Sequence, residues 1–512
     1  MNAIELNLFS RRISSICDEM GVVLQRAAFS PNIKDRLDFS CAIFDANGCL
    51  CAQAAHIPVH LGSMAYATKA IVETIEWQAG DVLMVNDPYL GGTHLPDVTL
   101  IAPVMIKDIL LGFVANRAHH ADIGATSPGS MPISSTLEEE GVIIPPTLMV
   151  KAGQLDNIFY QQLLRSMANK KQSEGDFTAQ QSSIHAGLRR LIALINRMSI
   201  IKYENALKDL NLYAARLAAS TLDKIPDGHY QFTDVMDDDG QGHEDINITA
   251  TISIEAGNIK VDFSGTDGQV AGNINCPLSV AAASVYYVFR CLMPEQTPAC
   301  AGTFSHITLS APKGSLINAI RPAAVAAGNV ETSTRIVDVV MGALSQAIPE
   351  LMAAASHGSM NNVAMGNRDQ NRSWDYYETI GGGMGASSIG AGFHAVQTHM
   401  TNTLNTPVES LEMHFPLRIS RYEIRKNSGG NGQFSGGDGL IREFEFLDSA
   451  HVTLLTERRR HAPWGVQNGN DGKAGKNFLN NKLIAGKVTF VANEGDRLRV
   501  ETPGGGGCGK PC

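Results

Sequence analysis

Residues 81–100 read DVLMVNDPYLGGTHLPDVTL, and this stretch decides how the chain folds around its chemistry. The apolar run from Asp81 to Val85 predicts a strand that delivers Asn86 and Asp87. Pro88 and the pair Gly91-Gly92 then turn the chain. His94 and Asp97 follow, on the way into a second apolar run. VTLIAPVMI and LLGFVANRA flank Lys107-Asp108, which predicts two strands joined by a tight turn. The second ends in ANRAHHADIG, adding His119, His120 and Asp122. Pairing of these strands brings the His94 end and the His119 end together. Imidazole and carboxylate in one place suit zinc, manganese or iron. Adjacent residues of a strand point to opposite faces, so only one of His119 and His120 faces such a site, unless the strand has already ended. Asp87 and Asp122 read either as outer partners of a ligating imidazole or as turn caps.

The surrounding sequence supplies a mixed frame. Residues 4–27 predict an amphipathic helix, with Phe9, Ile13, Ile16, Met20 and Val23 recurring at three and four residues. SCAIFD and CLCAQ flank Asn47-Gly48 and predict a hairpin, and residues 62–77 predict a helix. Residues 155–221 carry helical periodicity with a break expected near Ser173–Asp176, and this region can project as a helical hairpin. From residue 228 the pattern alternates with period two in YQFTDVMDD, INITATISI and IKVDFSG, while 278–292 and 331–346 predict buried helices. The last hundred residues are Gly-rich and strand-like: LRISRYEIR, LIREFEF, HVTLLTE, KVTFVA, DRLRVE. The expected class is α+β, with mixed sheets, buried helices, one helical insertion and a Gly-rich β C-terminal region. The expected division is 1–150 (carrying the metal site), 151–225 (helical), 226–400 (α+β core) and 401–512 (Gly-rich β).

Composition narrows the function. Of 512 residues, 44% are hydrophobic and 18% charged, which suits a large core and burial against a partner. A net charge of −10 argues against a general nucleic-acid binder, which needs a basic face. No apolar run approaches the ~18–20 residues of a membrane span. The start, MNAIELNLFSRRISSICDEMG, lacks the pattern of a secretory signal. Nine scattered cysteines without a CxxC unit argue against a disulfide framework and for a reducing cytoplasm, with Cys508 and Cys512 read as free thiols.

Other polar groups carry two readings each. His56 and His60, with Pro58 between them, are expected on extended chain, sharing one face and either lining the pocket or packing as core histidines. Glu138, Glu139 and Glu140 read as a solvated turn, or as the source of one general base. Asp262, Asp267 and Asn275 read as turn chemistry or cleft lining, and Arg335 as a structural ion pair or an anion contact. Glu378 precedes a triple glycine that can cradle an anion, and Arg458-Arg459-Arg460-His461 reads as a solvated or partner-facing patch.

Several motifs in one order resemble the hydantoinase B/oxoprolinase family: SPNIKDRLDFSCAIFD (30–45), HIPVHLGSM (56–64), NDPYLGGTHLPD (86–97), ANRAHHADIG (115–124), DFSGTDGQVAGNIN (262–275), YETIGGGMGA (377–386), TNTLNTPVESLE (401–412), APWGV (462–466) and TPGGGG (502–507). The resemblance implies a divalent metal, zinc or manganese rather than iron, on His94, Asp97 and His119. It also implies a partner subunit of the hydantoinase A type that binds ATP and Mg, within a hetero-oligomer. The chain itself holds no GxxxxGK[ST] phosphate loop. The implied reaction is hydrolysis of a cyclic amide (hydantoin, oxoproline or lactam) activated by phosphorylation. His120 and Asp122 are then candidates for moving a proton or orienting the ligands. A carboxylase of the acetone type and a non-catalytic scaffold for the ATP-binding chain are the alternatives.

Overall fold

The computed structural model describes residues 1–55, 57–368 and 373–511. His56 and Cys512, singled out above, lie outside them.

The N-terminal third is one antiparallel sheet between two helical layers. Its strands are β1 (Phe39–Asp45), β2 (Leu50–Ala55), β3 (Val82–Val85), β4 (Asp97–Ile106), β5 (Ile109–His119), β6 (Thr147–Lys151) and β7 (Gln154–Leu155), in the order β2-β1-β5-β4-β3-β6-β7. Alternation sorts the side chains. Val98, Leu100, Val114 and Ala118 belong to the same apolar cluster as α1 (Ala3–Ala27), which opens with an Asn2–Glu5 capping box. Ile101, Phe113 and Ala115 pack the other way, with Met64, Ile71 and Val72 of a second long helix, Pro58–Val72. That helix starts earlier than the apolar periodicity suggests. Pro58 occupies its first turn, where a missing N–H costs nothing, so His60 is helical rather than extended.

The long helical region runs as Asn157–Ser166, Lys170–Met198 and Ile200–Leu222. The expected break at Ser173–Asp176 is absent. Those polar residues serve tertiary contacts within a continuous helix: Asp176 Oδ1 accepts the N–H of Phe29 and of Ser30. Gly175 is needed because a Cβ there would lie 2.4 Å from the Phe29 ring. The helix lies on β4, β5 and α1 instead of projecting. The breaks fall at Met167–Asn169 and at Ser199, whose φ is +76°.

Three further sheets build the rest. Strands β8 (Gly228–Asp238), β9 (Glu244–Glu255), β10 (Asn258–Asp262) and β11 (Ile307–Ser310) form the second, with only β11 parallel to its neighbour. The helices Leu278–Leu292 and Ser333–Leu344 are buried beside it. The third has the order β13 (Trp374–Glu378), β12 (Asn362–Asn367), β16 (Ala450–Leu455), β19 (Lys487–Ala492). The fourth has the order β14 (Leu417–Arg425), β15 (Gly439–Phe446), β20 (Arg497–Glu501), β17 (Lys476–Leu479), β18 (Lys482–Ile484). Among the described residues no helix is long and apolar enough to cross a membrane.

The basic run after β16 is not one solvated patch. Arg458 is buried and bridges Asp234 and Asp338 at 2.6 Å each, and Arg459 Nη2 donates to Asn361 Oδ1 at 2.9 Å. Only Arg460 and His461 turn outward, to Glu244 and Asp245.

Between the last two sheets, glycine-rich segments lie backbone against backbone. Gly505 N–H donates to Gly437 O at 2.9 Å, Gly437 N–H to Met384 O at 2.8 Å, and Gly430 N–H to Gly505 O at 2.9 Å. A Cβ on Gly505 would sit 2.1 Å from Met384 O, so no side chain fits. Gly505→Ala is therefore expected to cost about 3 kcal/mol or more by overpacking against rigid backbone. Gly495, with φ +85° and nothing within 4 Å of a built Cβ, is expected to lose only about 1–2 kcal/mol on the same change, through strain alone. Urea unfolding of the two variants checks the contrast.

Candidate metal centre

Strands β4 and β5 pair in a register that sets Asp97 opposite His119. Asp97 and Thr99 of β4 thus share a face with Arg117 and His119 of β5, the face that looks towards the helix Pro58–Val72. The chain enters β4 through a tight turn, in which Asp97 N–H donates to His94 O at 3.1 Å. That turn folds the His94 ring back over Asp97, with Nε2 3.1 Å from Oδ1. Upstream, Asn86 holds the loop by donating to Leu95 O and Val142 O and accepting from Ile144 N–H. Arg117 braces the same loop through Gly91 O, Ser63 and Thr99. Gly92 is required there, because a Cβ would lie 2.2 Å from Asn86 O.

His94, Asp97 and His119 each offer one ligand atom within 4.8 Å of the others, and all three are buried. Their hydrogen bonding is lopsided. Asp97 Oδ2 accepts from Thr93 Oγ1 at 2.6 Å and from Asn329 Nδ2 at 3.2 Å, and lies 3.3 Å from His60 Nε2. Oδ1 faces the two imidazoles, 3.1 Å from His94 Nε2 and 3.2 Å from His119 Nδ1. His94 Nδ1 is 3.1 Å from Ala326 O. A carbonyl only accepts, so Nδ1 carries a proton and Nε2 is the nitrogen that faces Asp97. Nε2 of His94 and Nε2 of His119 are both buried without a hydrogen-bond partner. Buried polar atoms are rarely left so. Two unpaired imidazole nitrogens beside a carboxylate are the donor set of a divalent transition metal, and the residues fit one. The space between them is about 20 Å³, room for one water or ion. Its walls include Asn329, Met360, Tyr377 and Thr379.

The electrostatics follow from burial and one charge. Burial works against ionised Asp97, but His94 and His60 beside it, with the hydrogen bonds it accepts, hold its carboxyl well below the usual range. Burial also opposes a charged His94, and the adjacent Asp97 outweighs it, so its pKa rises. For His119 burial wins and the pKa falls.

The remaining candidates go elsewhere. His120 lies against the Phe177 ring, and its Nε2 donates to Gln180 Oε1 at 3.0 Å, on the opposite side of β5. Asp122 accepts the N–H of Gly124 and of Asn169, and Asp87 accepts the Tyr89 N–H and pairs with Arg321. Neither His120 nor these aspartates line the cavity. Glu138 and Glu139 are exposed, but Glu140 is buried and accepts from Ser134 and from the N–H groups of Val325 and Ala326. It thereby fixes the peptide whose carbonyl fixes His94. Asp262 accepts from Ser264 and Ser310, Asp267 accepts from Asn247, Asn275 bonds to Val270 and Ala324, Arg335 pairs with Glu457, and Glu378 pairs with Arg442.

Sequence reading passed over Asn329, Tyr377 and Asn362, and took Glu331 only as the opening of a buried helix. Tyr377 stacks on His119 with ring centroids 4.8 Å apart, and its hydroxyl donates to Asn362 Oδ1 at 2.6 Å. Asn362 Nδ2 donates to Glu331 Oε1 at 2.6 Å. Tyr377 opens the quoted YETIGGGMGA, where the charged Glu378 drew the attention instead.

Burial first, then Glu457, pushes the Glu331 pKa up to about 7. In the unfolded chain it titrates near 4.3. The folded state therefore binds this proton more tightly, and the stability it contributes is full below about pH 4 and lost as pH rises through 7. Glu331→Gln, neutral throughout, escapes that loss. Its stability relative to wild type is expected to improve by on the order of 2 kcal/mol between pH 5 and pH 8. Denaturant titrations at the two pH values check it.

The comparisons agree with one another. The family model described as hydantoinase B/oxoprolinase matches residues 2–511. An uncharacterised protein of Methanocaldococcus jannaschii is 40% identical over 100% of this chain and 91% of its own length. 5-oxoprolinase 1 of Arabidopsis thaliana is 37% identical over 99% of this chain, but this chain spans only 42% of that protein. The crystal structure of ATP-dependent caprolactamase from Pseudomonas jessenii superimposes with a TM-score of 0.91 at 27% identity, covering 100% of this chain and 91% of that one. With nearly its whole length matched by the family model, and with the metal-type cluster on the expected residues, the chain belongs to the hydantoinase B/oxoprolinase family.

Proposed function

We propose that this chain is the metal-holding unit of an ATP-dependent enzyme that hydrolyses a cyclic amide. The observation that carries the reading is the pair of buried, unpaired imidazole nitrogens on His94 and His119 beside Asp97. The similarity to 5-oxoprolinase 1 and to an ATP-dependent caprolactamase supplies the substrate class. An ATP-binding unit of hydantoinase A type is the expected partner. The sequence has no phosphate loop, and the matched 5-oxoprolinase is more than twice as long as the region this chain covers.

An amide resists water because nitrogen donates into the carbonyl. Phosphoryl transfer from ATP to the amide oxygen, on the partner, makes the carbon electrophilic. Water adds there, the C–N bond breaks with the proton going to nitrogen, and the resulting acyl phosphate takes a second water to release phosphate. His94, Asp97 and His119 would hold a divalent cation, zinc or manganese, which supplies Lewis-acid charge and a lowered water pKa when bound. This chain's own contribution is orientation. Thr93, Asn329 and His60 fix the Asp97 carboxylate by Oδ2, leaving Oδ1 towards the imidazoles. The Ala326 carbonyl fixes the His94 tautomer. The buried walls exclude bulk water and strengthen each of these interactions.

Purified chain combined with its ATP-binding partner, ATP and a panel of 5-oxoproline, hydantoins and caprolactam is expected to open one ring with matching ADP release. His94→Ala is expected to lower that rate by at least about a hundredfold, equivalent to roughly 3 kcal/mol of lost charge stabilisation. Ring opening unchanged in His94→Ala overturns the assignment. Incorporation of labelled bicarbonate in place of ring opening marks the carboxylase alternative.

A further inference from the structure

We infer that Glu331 is a positioning residue for the metal ligand His119, acting through Asn362 and Tyr377. The inference rests on the reading of His94, Asp97 and His119 as a cation site.

Glu331 sits in a π-helical turn, Gly328–Thr332, that leads into the helix Ser333–Leu344. Such turns are uncommon, and they are frequent at functional sites because they re-aim side chains. This one reaches the centre twice. Asn329 donates to Asp97 Oδ2 at 3.2 Å. Glu331, two residues on, takes the other side. Its Oε1 accepts the Met360 N–H at 2.9 Å and Asn362 Nδ2 at 2.6 Å. Met360 and Tyr377 are both cavity walls.

The link from Glu331 to His119 has no slack. Asn362 spends its amide hydrogens on Glu331 Oε1 and on Leu455 O, at 2.6 and 2.9 Å, and its Oδ1 accepts the Tyr377 hydroxyl at 2.6 Å. With the amide locked, the phenol has one place to donate. The ring beneath that hydroxyl lies nearly parallel to the His119 imidazole, at 15°. A stacked ring sets the plane of the imidazole, and the plane sets where the Nε2 lone pair points. Arg36 holds the far side of Tyr377, donating to its carbonyl and lying 5.0 Å over its ring.

Glu331 has a feature that packing alone does not explain. It is a carboxyl group buried completely. Burying a carboxyl is costly, and an apolar residue of similar size would cost less. The acceptor that Glu331 offers Asn362 is the function that a hydrophobic replacement lacks.

The test is the affinity of the full-length chain for Mn²⁺, measured by calorimetry without substrate or partner. Glu331→Ala and Tyr377→Phe are each expected to weaken binding by about 10- to 100-fold, the scale for lost outer supports of a metal ligand. Glu331→Gln keeps an acceptor for Asn362 and is expected to stay near wild type. The double variant Glu331→Ala/Tyr377→Phe is expected to be no weaker than the worse single one, because both cut one chain of contacts. Wild-type affinity in Tyr377→Phe overturns the inference even if Glu331→Ala fails to fold. Losses that multiply in the double variant also overturn it, since they mark independent roles. A wild-type chain that binds neither Mn²⁺ nor Zn²⁺ overturns the cation site itself. Normal Mn²⁺ binding and the expected coupling, with no ring-opening activity, leave this inference standing and remove only the proposed reaction.

Discussion

The centre depends on one strand pairing. β4 and β5 meet in a register that places Asp97 across from His119, and a slip of one residue would put the two side chains on opposite faces of the sheet. The register is held by what lies on each side of the sheet. Ile101, Phe113 and Ala115 belong to one apolar layer, and Val98, Leu100, Val114 and Ala118 to the other. The same apolar burial that stabilises the sheet therefore aims Asp97 and His119. Polar contacts then refine what packing has placed. Thr93, Asn329 and His60 converge on a single oxygen of Asp97, and Ala326 fixes a single tautomer of His94. Two of these groups, Asn329 and Ala326, come from far along the chain, so the N-terminal sheet and the segment around residue 330 must fold against each other before the site exists.

The hairpin and the clustering of His94, Asp97 and His119 were legible because the relevant signals are local. Strong apolar runs bracket a turn, and the histidines fall at strand ends, where pairing alone brings them together. The buried helix at 278–292 was legible for the same reason, since its apolar character is continuous. What failed were signals whose meaning is set by distant partners. Ser173, Gly175 and Asp176 read as a helix break, yet Asp176 satisfies the backbone of Phe29 and Ser30, and Gly175 makes room for the Phe29 ring. Pro58 read as extended chain because its position inside a helix could not be located without the helix start. Asn329, Asn362 and Tyr377 were invisible for a different reason. They carry no charge, and their importance arises only from the bonds they make across the fold.

Charge was the other misleading cue. A run of three arginines is normally a wet surface, but here Arg458 joins Asp234 and Asp338, while Arg335 and Lys487 meet Glu457, all inside. Paired buried charges of this kind contribute little net stability compared with apolar packing, but removing one member strands the rest. The effect is to tie the second sheet, the helix after the π-turn and the third sheet into one arrangement. Glu331 lies at the edge of this network, with Glu457 as the neighbour that most raises its proton affinity after burial. The scaffold behind the candidate centre is thus polar, whereas the sheet in front of it is apolar.

The glycine layer carries a consequence of its own. Its order comes from amide-to-amide bonds such as Gly505 to Gly437 and Gly437 to Met384, with almost no side-chain mass between the segments. Rigidity there is decoupled from hydrophobicity, because the order comes from peptide groups and not from apolar burial. Cosolvents that compete for peptide groups should loosen this layer ahead of the oily cores, whereas cold, which weakens apolar burial, should leave it comparatively intact.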